Sequence, residues 1–542
     1  MAEESSLTFT NPVIRGFNPD PTICVVPATD STPTTFFLST STFEFFPGCA
    51  IYTSTNLIDW TLIGHALNRR SQIDMRTVEP GAGSWASTLR YRPEEKRWYL
   101  ANGVFHRYRP AVDERIFPRG FYVWTDNIWD DNAWSDPVYF DNPGFDQDLF
   151  WDDDGKVYLS TTMRFAWRDP NSKQKDFGIH ISEIDISTGR TLTAPKVIRK
   201  SPHGIAEGSH IFKRGDWYYL LTAEGGTEAG HQEWVFRSKD GPLGPWESQG
   251  KPLWYNGPDE EVQRTGHVDV FEDGNGDWWS VLLGVRPVQH QGTFLEPQLG
   301  RETFLVKVEW KDDWPIFNDG NNITLKTTGR DLIKSASKPS LQTWKADLSK
   351  DDLEFGWYQK NTPIKQSYTL TEKPSVLRLY GNCYDLTSPE APAMLLRKQT
   401  SYNQTFKFEA TKLVLFYGGA STLMLHWELK LHKMTTEKIK TKISHKGAAG
   451  KTNEFKTLET DFGDSLQNVE FSIRAYPTKY ELSLKAGGKE SEVYTVDASA
   501  LTVMPPHGGC FAGTMFGIYS YGKNQPVLDP ADFSEISTEE LE

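Results

Sequence analysis

The chain has 542 residues, a formal net charge of −14 at pH 7 and aromatic side chains at 13% of its positions. Its length predicts two to four domains. The acidic balance disfavours nucleic acid as a partner, because phosphates would be repelled, whereas an uncharged polysaccharide is compatible with it. The 19 Trp, 21 Tyr and 31 Phe residues can fill a β-rich core and provide flat faces on which sugar rings stack.

The first residues and the hydropathy of the chain bear on its location. No run of about 18 apolar residues is present, so the sequence predicts neither a membrane-spanning helix nor a membrane partner. Residues 1–10 lack the basic and apolar segments of a signal peptide. Sequons for N-glycosylation begin at Asn322 and Asn403 and are compatible with secretion. We favour an extracellular protein whose leader is absent from this chain; the alternative is an intracellular protein.

The four cysteines give no sign of a metal or redox centre. Cys24, Cys49, Cys383 and Cys510 form no CxxC pair, so neither a zinc site nor a redox motif is predicted. Cys24–Cys49 or Cys383–Cys510 disulfides are one interpretation. Buried free thiols are the other.

A repeat of about 60 residues runs through the first 310 residues of the chain. Strand-like segments recur at steps of 62, 59, 60 and 61 residues, measured between the marker residues Phe36, Trp98, Val157, Trp217 and Trp278. A second strand-like segment follows in most repeats. Five repeats of short antiparallel strands predict a five-bladed β-propeller. The nearly equal steps disfavour the alternative of an irregular β-sandwich with accidental spacing.

The repeat ends near Trp310, and a different β-rich region begins near Trp344. The intervening residues 331–343 are polar, include Pro339 and are interpreted as a linker. Alternating segments such as residues 411–417 predict a β-sandwich in the last part of the chain. The predicted protein is therefore all-β. It has a propeller at residues 1–330, a linker at 331–343 and a C-terminal sandwich at 344–542.

One polar or aromatic residue precedes the marker strand of each repeat. At steps of 65, 61, 61 and 60, these residues are Asp20, Trp85, Asp146, Glu207 and His267. The repeat places them on the innermost strands, which meet at the propeller axis, so we expect them to form one pocket. Three carboxylates in one pocket repel each other, which favours metal ligation or acid/base catalysis as their purpose. Calcium would explain three acids, but Trp85 favours a sugar.

Glycoside hydrolysis assigns different tasks to two carboxyl groups. One stays charged and activates water, and the other stays protonated and donates to the leaving group. Asp20 lies between Pro19 and Pro21, which fix its backbone, and suits the base. Glu207 lies in a small, apolar setting and suits the acid. Asp146 would then raise the pKa of Glu207 and orient its side chain.

The motifs around these residues resemble those of glycoside hydrolase family 43, and the resemblance covers nearly the whole chain. That family pairs a five-bladed propeller with, in one large branch, a C-terminal β-sandwich. The segments FNPDP, GFD and AEG, which contain Asp20, Asp146 and Glu207, are similar to its base, pKa-modulator and acid motifs. The resemblance implies an inverting hydrolase in which these three residues have those roles.

Further residues acquire expected roles only through this resemblance. It implies that Phe43 and Trp85 form walls of the sugar subsite and that Arg301 reaches a sugar hydroxyl. His267 would lie beneath the pocket, where some members hold a structural calcium ion or a water cluster; no cofactor is required. Phe511, in the sandwich segment GGCFAG, would be inserted toward the site. Without the resemblance, the alternative interpretations have equal support: Phe43 and Phe511 would be core residues, and Arg301 would belong to a surface ion pair.

Two departures from the family pattern affect the expected substrate. Ser87 and Thr88 stand where many members have Pro and Asp, and the small Ala166 lies between Phe165 and Trp167. We expect these positions to influence which substrate the pocket accepts.

The resemblance implies α-L-arabinofuranosides or β-D-xylosides as substrates. The departures favour a fungal-type enzyme that releases α-L-arabinofuranose side chains from arabinoxylan, including doubly substituted xylose units. A β-D-xylosidase acting on xylo-oligosaccharides is the alternative within the class. A non-catalytic carbohydrate-binding propeller is the alternative from another class.

Overall fold

Strands make up most of the protein. A computed structural model describes residues 7–106, 118–164, 177–338, 340–384, 388, 390–410, 415–418, 424–430, 438–446, 452–461, 469–486, 488–501, 511–521, 527 and 530–542. The helical segments within these residues are short 3₁₀ turns at Asp131–Ala133, Asn318–Gly320, Asp331–Ser335 and Ala498–Leu501. The predicted all-β class is confirmed.

Five antiparallel sheets follow one another along the first part of the described chain and form a propeller. Blade 1 contains Thr22–Val26, Thr35–Thr40, Gly48–Ser54 and Thr61–Leu67. Blade 2 contains Gly83–Ser84, Thr88–Arg92, Arg97–Phe105, Arg119–Thr125 and Val138–Pro143. Blade 3 contains Phe145–Trp151, Val157–Arg164, Phe177–Asp185, Arg190–Thr191 and Lys196–Lys200. Blade 4 contains Ala206–Arg214, Trp217–Glu224, Gln232–Ser238 and Glu247–Ser248, and blade 5 contains Gln263–Glu272, Trp278–Val285, Glu302–Lys311 and Trp314–Phe317. The predicted five-bladed propeller is confirmed.

The marker segments of the sequence repeat form the second strand from the axis in each blade; in blade 2 this is Arg97–Phe105, which pairs with both Gly83–Ser84 and Thr88–Arg92. Thr35–Thr40 is buried at five of its six positions, and the middle of Trp217–Glu224 is buried without interruption. Each blade packs between two neighbours, so both faces of such a strand are covered. This double burial explains why the segments are continuous apolar runs rather than alternating ones.

The first strand of each blade lies innermost, and these strands close into a ring. Thr22–Val26 contacts both Thr88–Arg92 and Gln263–Glu272, so the first blade meets the second and the last. A short sheet of Thr8–Thr10 and Lys326–Thr328 joins the two ends of the propeller chain. The ring of innermost strands is therefore the place where side chains from all five blades meet.

Several short elements lie outside the blades. Gln289–His290 and Thr293–Phe294 form a small hairpin between the second and third strands of blade 5. The 3₁₀ turn at Asp331–Ser335 follows the propeller, and its Ile333 is buried beside Phe9 in the core between blades 1 and 5. The segment that was interpreted as a linker thus begins as part of the propeller surface.

The last part of the chain forms two packed sheets. One contains Thr343–Lys345, Tyr368–Thr369, Leu377–Leu379, Gln404–Ala410, Val469–Ala475, Lys479–Ala486, Lys489–Glu490, Tyr494–Asp497 and Ala531–Glu540. The other contains Ala393–Lys398, Leu415–Gly418, Met424–Lys430, Lys438–Lys446, Thr452–Asp461 and Met515–Ser520. Side chains such as Phe406, Phe471, Phe516 and Phe533 fill the space between them. The predicted C-terminal β-sandwich is confirmed.

The propeller and the sandwich share a hydrophobic cluster. Phe17 and Phe43 from the propeller pack with Tyr358, Met394 and Met515 from the sandwich. A two-stranded pairing of Phe45–Phe46 with Gln359–Lys360 also crosses between the domains. The sandwich is therefore packed directly against the part of blade 1 that carries Phe43.

The structure distinguishes between the two interpretations of the described cysteines. Cys24, Cys49 and Cys383 are free thiols, so the alternative of a Cys24–Cys49 disulfide is wrong. Cys510 lies outside the described residues. Among the residues that the structure describes, no helix is long and apolar enough to cross a membrane.

Candidate active site

A β-bulge lies in the innermost strand of blades 3, 4 and 5, at the predicted ring residue or directly after it. In blade 3, Asp146 and Gln147 together face Thr161, because Phe145 pairs with Thr162 and Asp148 pairs with Ser160. The same two-against-one register occurs in blades 4 and 5. A bulge turns a side chain away from the regular alternation of a strand. In blades 3 and 5 the bulge contains the ring residue itself, Asp146 or His267.

The bulges hold non-glycine residues in the left-handed backbone region. The φ angles of Asp20, Asp146 and His267 are 53°, 53° and 55°. In blade 1 the peptide N–H of Ser41 donates to the Pro19 carbonyl at 3.1 Å, which puts Asp20 in the corresponding place. Such backbone conformations cost free energy and occur mainly where function requires them. Their recurrence identifies one built site shared by several blades.

Glu207 departs from this register by one residue. In blade 4 the left-handed residue is Gly208, with a φ of 59°, and Glu207 precedes it and pairs with Ala223. A Cβ atom at Gly208 would lie 2.8 Å from Cδ2 of His267, so only glycine fits there. The expectation of strictly equivalent ring positions is therefore wrong for blade 4, because the glycine makes room for His267.

Asp20 is buried among groups that favour its charged form. Its Oδ2 accepts a hydrogen bond from the Ser41 hydroxyl at 2.6 Å, and its Oδ1 lies 3.0 Å from Nη1 of Arg301. Nδ1 of His267 lies 3.5 Å from the same Oδ1. Burial acts to raise the pKa of Asp20, but Arg301, His267 and Ser41 outweigh burial and hold the pKa well below its usual range. Asp20 is therefore an ionised carboxylate.

Asp146 and Glu207 form a pair of interacting acids. Oδ2 of Asp146 accepts the peptide N–H of Gly208 at 2.9 Å, which ties Asp146 to the residue that follows Glu207. Burial, and then the negative charges of Glu207 and Asp20, raise the pKa of Asp146, although His267 and the Gly208 N–H oppose them. Two acids in this situation retain one proton between them when isolated carboxyl groups have lost theirs. Glu207 is half-buried, so it is the more accessible member of the pair.

Aromatic side chains surround the carboxyl groups on one side. Trp85 stacks on Phe105 with ring centroids 3.8 Å apart, and its Nε1 donates to the Gly81 carbonyl at 3.2 Å. Phe511 of the sandwich lies 5.8 Å from Trp85 and 5.7 Å from Phe43, measured between ring centroids. Phe43 is only 3% exposed. Trp85 and Phe511 therefore present the accessible surfaces, and Phe43 supports them from behind.

Arg301 connects the aromatic group to the base. It is 7% exposed, and its Nη1 also donates to the Thr227 hydroxyl at 2.9 Å. Its guanidinium carbon lies 5.3 Å from the ring centre of Phe43 and 5.5 Å from that of Phe511. The alternative of a surface ion pair is wrong, because Arg301 is buried at the site.

The sandwich segment that carries Phe511 is fixed to the propeller. The peptide N–H of Thr514 donates to the Gln298 carbonyl at 2.8 Å. A Cβ atom at Gly513 would lie 2.2 Å from the Leu299 carbonyl oxygen, so the two backbones approach as closely as glycine permits. The segment therefore packs against Gln298 and Leu299, which shortly precede Arg301 in the chain. The sandwich completes one wall of the site.

The other positions that were expected to influence the substrate are not at the surface of the described pocket. Ser87 and Thr88 are buried, and the Ser87 hydroxyl lies 3.2 Å from that of Ser39. They can influence the site only through packing beneath Trp85. Ala166 lies outside the described residues.

A second polar ring below the site was not found from the sequence. One residue from each blade contributes to it, in chain order Thr22, Arg90, Asp148, His210 and Asp269. The Arg90 guanidinium donates to Asp148 at 2.9 Å and to Asp269 at 2.8 Å. Thr22 donates its hydroxyl to Asp269 at 2.8 Å, and Nδ1 of His210 lies 3.2 Å from Asp148. This ring joins all five blades directly beneath the catalytic candidates.

The calcium ion expected near His267 stays a prediction. Among the residues that the structure describes, no group of three or more His, Cys, Asp or Glu side chains is arranged to hold a metal ion. Calcium takes six to eight oxygen ligands. His267 offers only imidazole nitrogens, so the oxygen ligands of such an ion would come from other groups or from water.

The groups assembled at the axis are those that glycoside hydrolysis requires: an ionised carboxylate, a pair of interacting acids of which Asp146 has a raised pKa, and aromatic surfaces. The profile of glycosyl hydrolases family 43 matches residues 9–315, and the profile of the β-xylosidase C-terminal concanavalin A-like domain matches residues 345–539. The chain belongs to glycoside hydrolase family 43. It is therefore a glycoside hydrolase, and the alternative of a non-catalytic propeller is wrong.

Relatives of known name cover from three quarters to nearly all of the chain. The non-reducing end alpha-L-arabinofuranosidase BoGH43B of Bacteroides ovatus is 32% identical over 97% of this chain and 94% of its own length. A Bacillus subtilis beta-xylosidase is 32% identical over 76% of this chain and 75% of its own. The solved structure of Bacteroides ovatus xyloglucan PUL GH43B superposes with a TM-score of 0.82 at 30% identity, covering 98% and 99% of the two chains. The structure of the xylan beta-1,4-xylosidase from Bacillus halodurans gives 0.83 at 27% identity, covering 98% and 100%.

Proposed function

We propose that the protein is an inverting α-L-arabinofuranosidase that releases arabinofuranose side chains from arabinoxylan, including those on doubly substituted xylose units. The observation that carries the proposed mechanism is that the surroundings of the carboxyl groups shift their pKa values in opposite directions. Arg301 and His267 keep Asp20 charged, whereas burial and the negative charge of Glu207 raise the pKa of Asp146. Pairs of acids whose environments separate their pKa values identify the acid and the base.

The proposed reaction is a single displacement at the anomeric carbon. Asp20 accepts a proton from a water molecule as the water oxygen bonds to that carbon. Glu207 donates its proton to the glycosidic oxygen as the bond between that oxygen and the carbon breaks. Asp146 orients Glu207 through the Gly208 N–H and supplies the like charge that keeps the pair protonated. Attack and departure on opposite faces of the sugar invert the anomeric configuration.

Two substrate types are supported to different extents. The arabinofuranosidase from Bacteroides ovatus aligns with 97% of the chain. The β-xylosidases of Vibrio sp and Bacillus subtilis align with 73% and 76% at similar identity. This difference in sequence coverage supports the arabinofuranoside, although in the structural comparison the xylan beta-1,4-xylosidase from Bacillus halodurans also covers 98% of the chain. A β-D-xylosidase acting on xylo-oligosaccharides is the second candidate.

Two chromogenic substrates separate these candidates. We expect kcat/KM on para-nitrophenyl α-L-arabinofuranoside to exceed that on the β-D-xyloside by about tenfold or more, a difference of about 1.4 kcal/mol. A faster xyloside reaction would overturn the choice of sugar. Arabinoxylan oligosaccharides with one or two arabinose units on a xylose would then test the doubly substituted substrate.

Arg301→Gln is expected to move the acid limb of the pH profile. Arg301 helps to hold the pKa of Asp20 below its usual range, so its removal raises that pKa. Asp20 then becomes protonated, and inactive as a base, at a higher pH. The acid limb of the kcat/KM profile should move to higher pH by about one pH unit or more. The control is Arg70→Gln, which removes an exposed pair with Asp74 and should leave the profile unchanged. An unchanged acid limb in Arg301→Gln would contradict the role of Arg301.

Phe511→Ala is expected to weaken catalysis without unfolding the protein. The side chain is half-buried, and its ring faces Trp85, Phe43 and Arg301. Losing one aromatic surface at the sugar subsite should lower kcat/KM by about 2- to 10-fold. Phe355→Ala in the sandwich, where the side chain is 45% exposed, is the matched control. Equal kinetics in both variants would mean that the sandwich contributes no surface to the substrate.

A further inference from the structure

A second cavity lies beside the active site, between loops of blades 4 and 5. Its volume is about 460 Å³. Its walls come from Ala229, from the segment 256–264 and from the segment 289–297. Along the chain, Ala229 is two residues from Thr227, the second stretch ends three residues before His267, and the third ends four residues before Arg301. A chain of that length spans at most about 14 Å, so the cavity is a neighbour of the catalytic residues.

The cation in the wall of the cavity is paired, and a neighbouring carboxylate is held by neutral donors. Arg264 donates to both carboxylate oxygens of Glu296 at 2.8 Å. The Glu260 carboxylate accepts the Gly257 N–H at 3.1 Å and the Asn322 amide at 2.8 Å. Arg264 is already paired and Asp259 adds an exposed carboxylate to the wall, so an anionic ligand is disfavoured. An uncharged ligand suits it better.

The exposed groups in the wall are suited to a ligand rich in hydroxyl groups. Asp259 and Gln289 line the cavity and are exposed, so a carboxylate and an amide are available as hydrogen-bond partners. Phe294 and Leu295 also line it, and both are half-buried on the small hairpin of blade 5. Tyr255 is 41% exposed, and its hydroxyl donates to the Ala229 carbonyl at 2.8 Å, so a second aromatic ring stands at the edge. Aromatic faces beside a few polar groups are typical of sites for sugars.

We propose that this cavity binds the uncharged sugar backbone of the polysaccharide, on the far side of the bond that is cleaved. The assignment of the ligand to the leaving part of the substrate rests on the proposed function. The volume falls within the range of about 300–1,000 Å³ in which proteins bind small organic ligands, so a short stretch of sugar units fits. The cavity would give the enzyme a preference for polymeric over small synthetic substrates.

Phe294→Ala and Asp259→Asn test the proposal kinetically. Each variant is assayed on an arabinose-substituted xylotetraose and on para-nitrophenyl α-L-arabinofuranoside, which has no sugar to place in the cavity. We expect kcat/KM on the oligosaccharide to fall by about tenfold in Phe294→Ala, and less in Asp259→Asn, with the synthetic substrate unaffected. Tyr139→Ala, at an aromatic residue of blade 2 that is 49% exposed, is the control. Equal effects on both substrates, or no effect on either, would overturn the proposal.

A binding measurement keeps this test independent of the proposed function. Unsubstituted xylotetraose is titrated into the wild-type protein and into Phe294→Ala by calorimetry. Binding that weakens by about tenfold in the variant supports the cavity as its site, whereas equal binding or no wild-type binding overturns it. Failure of the wild-type enzyme to hydrolyse either chromogenic substrate would instead overturn the proposed function, and the two failures are thereby distinguished.

Discussion

Glu207→Gln is expected to lower kcat on arabinoxylan by about 10²- to 10⁴-fold, because the amide cannot protonate the departing xylose oxygen. A leaving group that needs no proton should restore much of this loss. We therefore expect a far smaller decrease on a dinitrophenyl arabinofuranoside, whose phenolate departs unaided. The measurement is the ratio of the two rates in wild type and variant.

Asp20→Asn separates the base from the acid. The amide cannot accept the proton of the attacking water, so the loss should be about 10²- to 10⁴-fold on both substrates. Asp153→Asn is the control, because Asp153 lies in an exposed turn of blade 3. If Asp20→Asn were rescued by the better leaving group, or if Glu207→Gln were not, the two assignments would be wrong.

Arg90→Met is expected to cause the largest loss of stability. Arg90 joins Asp148 and Asp269, and both carboxylates are buried at the centre of the propeller. Removing the guanidinium leaves two buried acids without their cation, which should lower the free energy of unfolding by about 3–5 kcal/mol. Urea denaturation followed by tryptophan fluorescence measures this change.

Two further variants make the stability result specific. Arg70→Met breaks an exposed pair with Asp74 and should cost about 1 kcal/mol or less. Arg90→Lys keeps the charge but not the forked geometry that reaches both acids, so its loss should be intermediate. A cost for Arg90→Met that is no larger than that for Arg70→Met would contradict the role of the second ring.

The propeller could be predicted because its repeat is regular in length and in composition. Each second strand is buried on both sides, so each repeat contains a continuous apolar segment such as Thr35–Thr40. Asp20, Asp146 and His267 could be located because one polar residue precedes each such segment. The family resemblance then indicated Phe511, whose neighbours Trp85 and Arg301 lie hundreds of residues away in the chain.

The remaining features depend on contacts that no local pattern encodes. The bulge in blade 4 puts Gly208 rather than Glu207 in the left-handed position, since the His267 ring occupies the space that a Cβ atom would need. Arg90 belongs to a segment with several polar residues that is indistinguishable from an exposed strand until the five blades close around it. Thr22, Asp148 and Asp269 each follow a ring residue by two positions. That spacing was the available signal for the second ring.

The anomeric configuration of the first product tests the central claim, that Asp20 and Glu207 carry out a single displacement. Proton NMR spectra recorded during hydrolysis of an α-L-arabinofuranosyl substituted xylo-oligosaccharide show which anomer forms before mutarotation. The account predicts that β-L-arabinofuranose appears first and that the α-anomer follows only by equilibration. Initial accumulation of the α-anomer would contradict it, because retention requires two displacements and a covalent intermediate.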